Sequence, residues 1–541
     1  MKKIFYVVSL ILVAGFFIAP LGYMFLKPTF NDLAQILQSE NTLKAAQNTF
    51  LVSTAVSVFC LLLGLPLAWL LTRTDLPFKN QLRSLFCLPY AIPPFVGAIG
   101  WIILANPNSG VLNQWFGFHL NIYSFWGLVF VETSFLFTFV LLTALTVLDR
   151  MDSSLEEAAR LSGANGFRVF MDIGLPLLKP AIVSGFILSF LSTAASFGVP
   201  ALIGGPARLY LFTTQIYTYQ RMGTTSGLQM SIAVSVLLGL VTLSLLFLSQ
   251  KVFGQNKNYT IGGKTARPSL VPLLKWKFPI TAILISLFSI IFIFPLFGIL
   301  LSSLSQVQGV WNFSDLSFAN YIRVLFKTEE TLRALTQSFV LGLGAALICT
   351  VFAFFFNYFI YRTSLKGRSA AQLALSIPFS TPGTVLALAI ILTFSQGYFG
   401  MGPSLYNTLA LILIAYVIKY ASLSMKTIGD GYQQIHPSLE EAARISGAGW
   451  WHVMMTIYRP ILKTALMASM FLVFMPVISE LTMTILLTGP GLETIGTLIF
   501  QFQEYSDMGG GGASVLSVLV VAFVLTLNLS LKIISKGRYG L

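Results

Sequence analysis

Three ionisable side chains, Glu132, Lys419 and Glu480, interrupt long apolar stretches of this 541-residue chain. A charge among apolar groups is costly unless it meets water, an opposite charge or a bound ion. The carboxylates of Glu132 and Glu480 supply the hard oxygen ligands that a highly charged cation prefers, whereas Lys419 supplies the partner for an ion pair. Ser196 belongs with them. The stretch Ser196 to Pro206 corresponds to Glu480 to Pro490, so a hydroxyl stands in one copy where an acid stands in the other. These four residues are the candidates for lining a path, and Glu132 and Glu480 are the candidate metal ligands among them.

A second polar feature is written twice. Ser154-Leu-Glu-Glu-Ala-Ala-Arg-Leu-Ser-Gly-Ala164 recurs as Ser438-Leu-Glu-Glu-Ala-Ala-Arg-Ile-Ser-Gly-Ala448, 284 positions further on. In the first copy Asp152 or Ser153 caps a short helix, and Glu156 and Glu157 occupy its opening turn, where acids suit the helix dipole. Ala158 and Ala159 give a small-residue surface, Gly163 ends the helix, and Pro176 precedes the next apolar run. The second copy repeats this with Glu440, Glu441, Ala442, Ala443, Gly447 and Pro460. A mere connector has no reason to keep such a run in both copies, so each reads as a knob for an external partner.

Other chemistries lack their residues. Cys60, Cys87 and Cys349 form no paired motif, and His119, His436 and His452 are scattered, so no zinc cluster can be drawn. Gly262-Gly-Lys-Thr265 resembles part of a phosphate loop, but the required earlier glycine is Asn258 and no strand precedes it. No nucleophile, base and orienting group emerge together. The chain is expected to bind no cofactor and to catalyse nothing itself.

The elements that must position these residues follow from composition. The chain is 56% hydrophobic and 10% charged, with 47 Phe and a mean hydropathy of +0.81; that is a membrane protein. A span takes about 20 apolar residues, and runs of that kind lie near 4–26, 50–72, 84–106, 125–148, 181–203, 228–250, 278–303, 336–361, 371–395, 405–428, 464–488 and 513–535. Their length and lack of alternation predict helices rather than barrel strands. The first run follows Met1-Lys2-Lys3 but is longer than a secretory core and lacks a cleavage pattern, so it reads as a retained helix. With both ends on the cytoplasmic side, inner segments hold 25 of the 33 basic residues, as topology rules require. The net charge of +14 is therefore a topology signal. Its dispersal along loops excludes a nucleic-acid surface.

The duplication extends beyond the polar run. Pro89-Tyr-Ala-Ile-Pro93 matches Pro378-Phe-Ser-Thr-Pro382, and Asn48-Thr-Phe-Leu matches Gln337-Ser-Phe-Val, both at a spacing of 289. The expected fold is an all-α polytopic membrane protein of about twelve spans in two six-helix repeats. The first repeat covers 1–255 with its polar loop at 150–180, a basic linker covers 256–277, and the second repeat covers 278–541 with its loop at 429–464. Six spans return the chain to its starting side, so the repeats are parallel.

The loops carry a specific resemblance. Glu157-Ala-Ala159, Gly163 and Ile173-Gly-Leu-Pro176 are similar to the Glu-Ala-Ala signature of permeases from ATP-binding-cassette importers. The second copy, Glu441-Ala-Ala443, Gly447 and Ile457-Tyr-Arg-Pro460, departs only in having Arg459 for Leu. The resemblance covers the whole chain as two fused permease halves, and looks most like the ferric-iron branch. It implies coupling helices seated on a cytoplasmic ATPase dimer, with ATP and Mg²⁺ bound by that partner. It further implies a solute-binding protein outside and a place in a bacterial inner membrane. Permeases for thiamine, a phosphonate or a polyamine are the near alternatives. An ion-gradient-driven transporter with parallel halves is the alternative from another class, and it gives no reason for the duplicated loops.

Overall fold

Long apolar runs leave no water for the backbone, and the chain satisfies its N–H and C=O groups within helices. The computed structural model describes residues 2–151, 153–254, 270–505 and 511–534. Among them, nine helices are long and apolar enough to cross a membrane, or up to twelve when each of three bent pairs is one span. The protein is an all-α polytopic membrane protein, as its composition predicts.

Three of the expected spans are not straight. Lys79–Ala91 and Pro94–Ala105 meet at 96°, and Arg368–Ser380 and Gly383–Phe394 meet at 110°. The repeated prolines explain both bends: Pro93 and Pro382 lack an N–H and sit in extended backbone between the two helices. The run expected at 464–488 also breaks. Its helix, Lys463–Ile478, stops before Glu480, and just ahead of the run, Trp450–Ile461 meets that helix at 75°. The run expected at 181–203 is a helix only through Ala195, followed by a separate π-turn, Pro200–Gly204.

Eight helices frame the polar loops: α1 (Glu40–Arg73), α2 (Phe125–Arg150), α3 (Ser153–Leu161), α4 (Leu175–Ala195), α5 (Glu329–Arg362), α6 (Leu409–Gln434), α7 (Ser438–Ile445) and α8 (Lys463–Ile478). The duplication is visible in their lengths. Helices α1 and α5 each have 34 residues, and α2 and α6 each have 26. Ser124 and Thr408 cap α2 and α6 in the same way, each accepting the N–H three residues on.

The chain forms two compact units, and their membership crosses the repeat boundary. One comprises Ser39–Gln215 and Leu240–Ser317; the other comprises Met1–Gln38, Ile216–Gly239 and Phe318–Gly540. In the former, α1 packs on α2 and α4. The helix Pro94–Ala105 lies backbone to backbone against Phe294–Leu304, the leading segment of the second repeat. A Cβ on Gly100 would stand 2.3 Å from the Pro295 carbonyl oxygen.

In the latter unit, α5 packs on α6 and α8, and Ala19–Leu26 packs on Gly383–Phe394. The Tyr398 hydroxyl donates to the Gly15 carbonyl at 2.8 Å, inside the π-turn Val13–Ile18 that frees such groups. Hydroxyls fasten the helices: Ser469 pairs with Thr350 at 2.9 Å and donates to Ser424 at 2.8 Å. Each unit thus receives the leading helix of the repeat that supplies most of the other.

Candidate functional site

Both copies of the polar run fold as expected into a short helix, α3 and α7. Asp152, one of the two expected caps of α3, lies outside the described residues. The glycine after each helix has a left-handed backbone, with φ of +86° at Gly163 and +83° at Gly447. Nothing lies within 4 Å of a Cβ built at either. The requirement is therefore torsional rather than spatial. The Ala164 N–H donates to the Ala159 carbonyl at 3.0 Å, and the Ala448 N–H to the Ala443 carbonyl at 2.9 Å. These bonds close the helix ends on carbonyls that otherwise have no partner. Pro176 and Pro460 each sit in the first turn of the following helix, where a missing N–H costs nothing.

The adjacent glutamates separate into two environments. Glu156 and Glu440 are buried, whereas Glu157 and Glu441 are exposed beside the exposed Ala158 and Ala442; Ala159 and Ala443 are half-buried. Glu156 is paired with Arg73 of α1, Nε to Oε1, at 3.3 Å. Glu440 accepts from the Tyr358 hydroxyl of α5 at 2.8 Å, from the Tyr458 hydroxyl at 2.6 Å, and from Arg444. Burial pushes the Glu440 carboxyl up, but the two tyrosine hydroxyls and the Arg444 guanidinium together hold it below its ordinary value of 4.5. The opening-turn acids thus do more than answer a helix dipole: one of each pair anchors the knob to its own unit.

Sequence reasoning missed these anchors. Arg73 is 2% exposed, and its guanidinium donates to the carbonyls of Leu148 at 3.2 Å and Met151 at 3.3 Å, at the end of α2. Arg362 does the same at the end of α6, donating to Tyr432 at 2.8 Å and to Ile435. The signal was present, since Arg73-Thr74 and Arg362-Thr363 recur at the spacing of the repeated prolines. Also missed were Leu161 and Ile445, apolar side chains at matching positions that are 91% and 88% exposed. Each knob therefore presents an apolar tip as well as a small-residue face and an acid.

The path candidates differ from one another more than their residue types suggested. In one unit Glu132 is 0% exposed, and neither carboxylate oxygen has a hydrogen-bond partner among the described residues. Its polar neighbour is Ser196. In the other unit Glu480 accepts from the Met483 N–H and the Thr484 N–H, each at 2.9 Å, and from the Thr484 hydroxyl. It caps the helical turn Thr484–Leu487. Lys419 donates to the Thr381 carbonyl at 3.3 Å, directly before Pro382 at the break, in place of the ion pair its charge suggested. Positions 132 and 196 match Tyr416 and Glu480 at the spacing of the polar loops. The Tyr416 hydroxyl pairs with Thr484 at 2.7 Å, and the same Thr484 hydroxyl donates to Glu480, so the two positions are linked in the second repeat too, with the acid at the first position in one repeat and at the second in the other.

The family described as "binding-protein-dependent transport system inner membrane component" matches residues 60–255 and again 363–537. A ferric transport system permease protein of Actinobacillus pleuropneumoniae is 25% identical over 513 residues, covering 91% of this chain and 72% of that protein. An Fe(3+)-transport system permease protein of Haemophilus influenzae is 26% identical, covering 93% of each. A molybdate/tungstate transport system permease protein of Methanocaldococcus jannaschii is 31% identical over 258 residues, which is 46% of this chain and 95% of that protein.

Proposed function

Because this chain belongs to the binding-protein-dependent transport system inner membrane component family, twice over along its length, we propose that it is the permease of an ATP-driven importer of ferric iron. Similarity to two ferric permeases over nine-tenths of the chain supports the substrate. A separate ATPase pair hydrolyses ATP inside, and a solute-binding protein delivers the ion outside. The matched knobs carry the reading: each offers an exposed acid, a small-residue face and an apolar tip on a helix fixed at both ends, which suits seating in a partner's groove. The bias of basic residues supports a cytoplasmic position for that face and for both termini.

Of the four path candidates, Glu132 with Ser196 retains unspent oxygen ligands for a passing cation. Glu480 and Lys419 spend their charges holding backbone in the broken segments around them.

Reconstitution with the ATPase and binding protein tests the reading. Ferric iron on the binding protein should stimulate ATP hydrolysis and accumulate in the vesicles, and molybdate should do neither. Gradient-driven uptake by the isolated chain would overturn the importer reading. Stimulation by molybdate alone would overturn the substrate.

A further inference from the structure

The two knobs are tied to their units by different side chains but to the same places. In the first repeat, Arg73 at the end of α1 grips the last carbonyls of α2 and also pairs with Glu156 of α3. In the second repeat, Arg362 at the end of α5 grips the matching carbonyls of α6, and Tyr358, one turn earlier on α5, takes over the bond to Glu440 of α7. Tyr358 and Tyr458 fall at positions held by Trp69 and Gly174 in the first repeat. Those residues supply no hydroxyl, and the arginine is ion-paired with the acid.

A guanidinium is suited to this position, because its fork can serve two carbonyls and a carboxylate at once. Its charge also suits the negative end of α2 or α6. Breaking a buried pair of this kind leaves an uncompensated charge, so the tie is stiff.

We infer that Arg73 in the first repeat, and Tyr358 together with Arg362 in the second, are positioning residues that fasten each knob and the end of the helix before it to the long helix of the same repeat, so that a partner moving the knob moves α1 or α5 with it. This rests on the reading of the knobs as the ATPase seats. Two chemistries converging on one connectivity, knob to long helix and long helix to the end of the preceding helix, mark the link as the thing preserved. The knob's two covalent neighbours are then followers, and the long helices are the levers.

The reconstituted complex tests this with spin labels on Leu161→Cys paired with Leu62→Cys on α1, and with Leu188→Cys on α4. In the wild-type background the 161–62 distance should stay the same between the nucleotide-free and vanadate-trapped states while the 161–188 distance changes. A 161–62 distance that changes as much as the 161–188 distance would overturn the inference without any further substitution.

Arg73→Gln should leave ATPase binding in place while iron taken up per ATP falls about tenfold, within the usual range of coupling energies. Arg73→Lys, which keeps the charge and one donor, should restore part of that ratio. An unchanged ratio in Arg73→Gln would overturn the inference. If the unsubstituted complex neither binds the ATPase nor transports iron, the importer reading fails instead.

Discussion

At the scale of single residues, intramembrane charge divides into spent and unspent. Glu480 satisfies two N–H groups that the broken helix would otherwise strand in an apolar setting, and Glu132 satisfies none among the described residues. Replacing each by its amide separates the two roles. Glu480→Gln turns an N–H donor toward another donor and should cost about 1–3 kcal/mol, seen as a lower unfolding midpoint in detergent. Glu132→Gln disturbs no backbone contact and its amide can still meet Ser196, so its midpoint should hold or rise while iron uptake falls. Equal midpoints for the two variants would refute the division.

At the scale of elements, close helix contact depends on a few glycines whose neighbours are backbone. Gly100 faces the Pro295 carbonyl at 2.3 Å from where a Cβ would sit, and Gly298 faces the Gly100 carbonyl at 2.9 Å. Backbone cannot rotate away as a side chain can. Gly100→Ala should therefore push the two helices apart at a cost of about 1–3 kcal/mol. Gly22→Ala, with nothing within 4 Å of its Cβ, is the control and should leave the midpoint unchanged. The comparison is read by thermal unfolding of the purified permease, and equal effects would refute a tight contact at Gly100.

At the scale of the whole molecule, function depends on which side of the membrane each knob faces. The bias of basic residues predicts the cytoplasmic side for both. A cysteine at Leu161 or at Ile445, each exposed, should react with an impermeant maleimide only when the cytoplasmic face is accessible. The native Cys60, Cys87 and Cys349 are buried and should contribute little background. Labelling of the two positions from opposite sides would refute the parallel arrangement of the repeats and, with it, a pair of seats for one ATPase dimer.

Some of this was legible before any folding was considered. Apolar runs, proline breaks, a repeated acid-alanine-glycine run and biased loop charge are local properties of the chain. Solvent, helicity, duplication and the position of the knobs follow from them directly. The glycine turns at Gly163 and Gly447 belong here too, because a left-handed residue is demanded by its own torsions.

What only the tertiary structure decided is which of two adjacent glutamates is buried, that Arg73 and Arg362 hold the helix ends, and that each repeat gives its leading helix to the unit built mainly by the other. Glu156 meets a residue 83 positions away and Glu440 one 82 positions away. No periodicity in a window of residues records such a meeting. It is set by how packed helices bring distant side chains to a common depth, where a charge without a partner is too costly to keep.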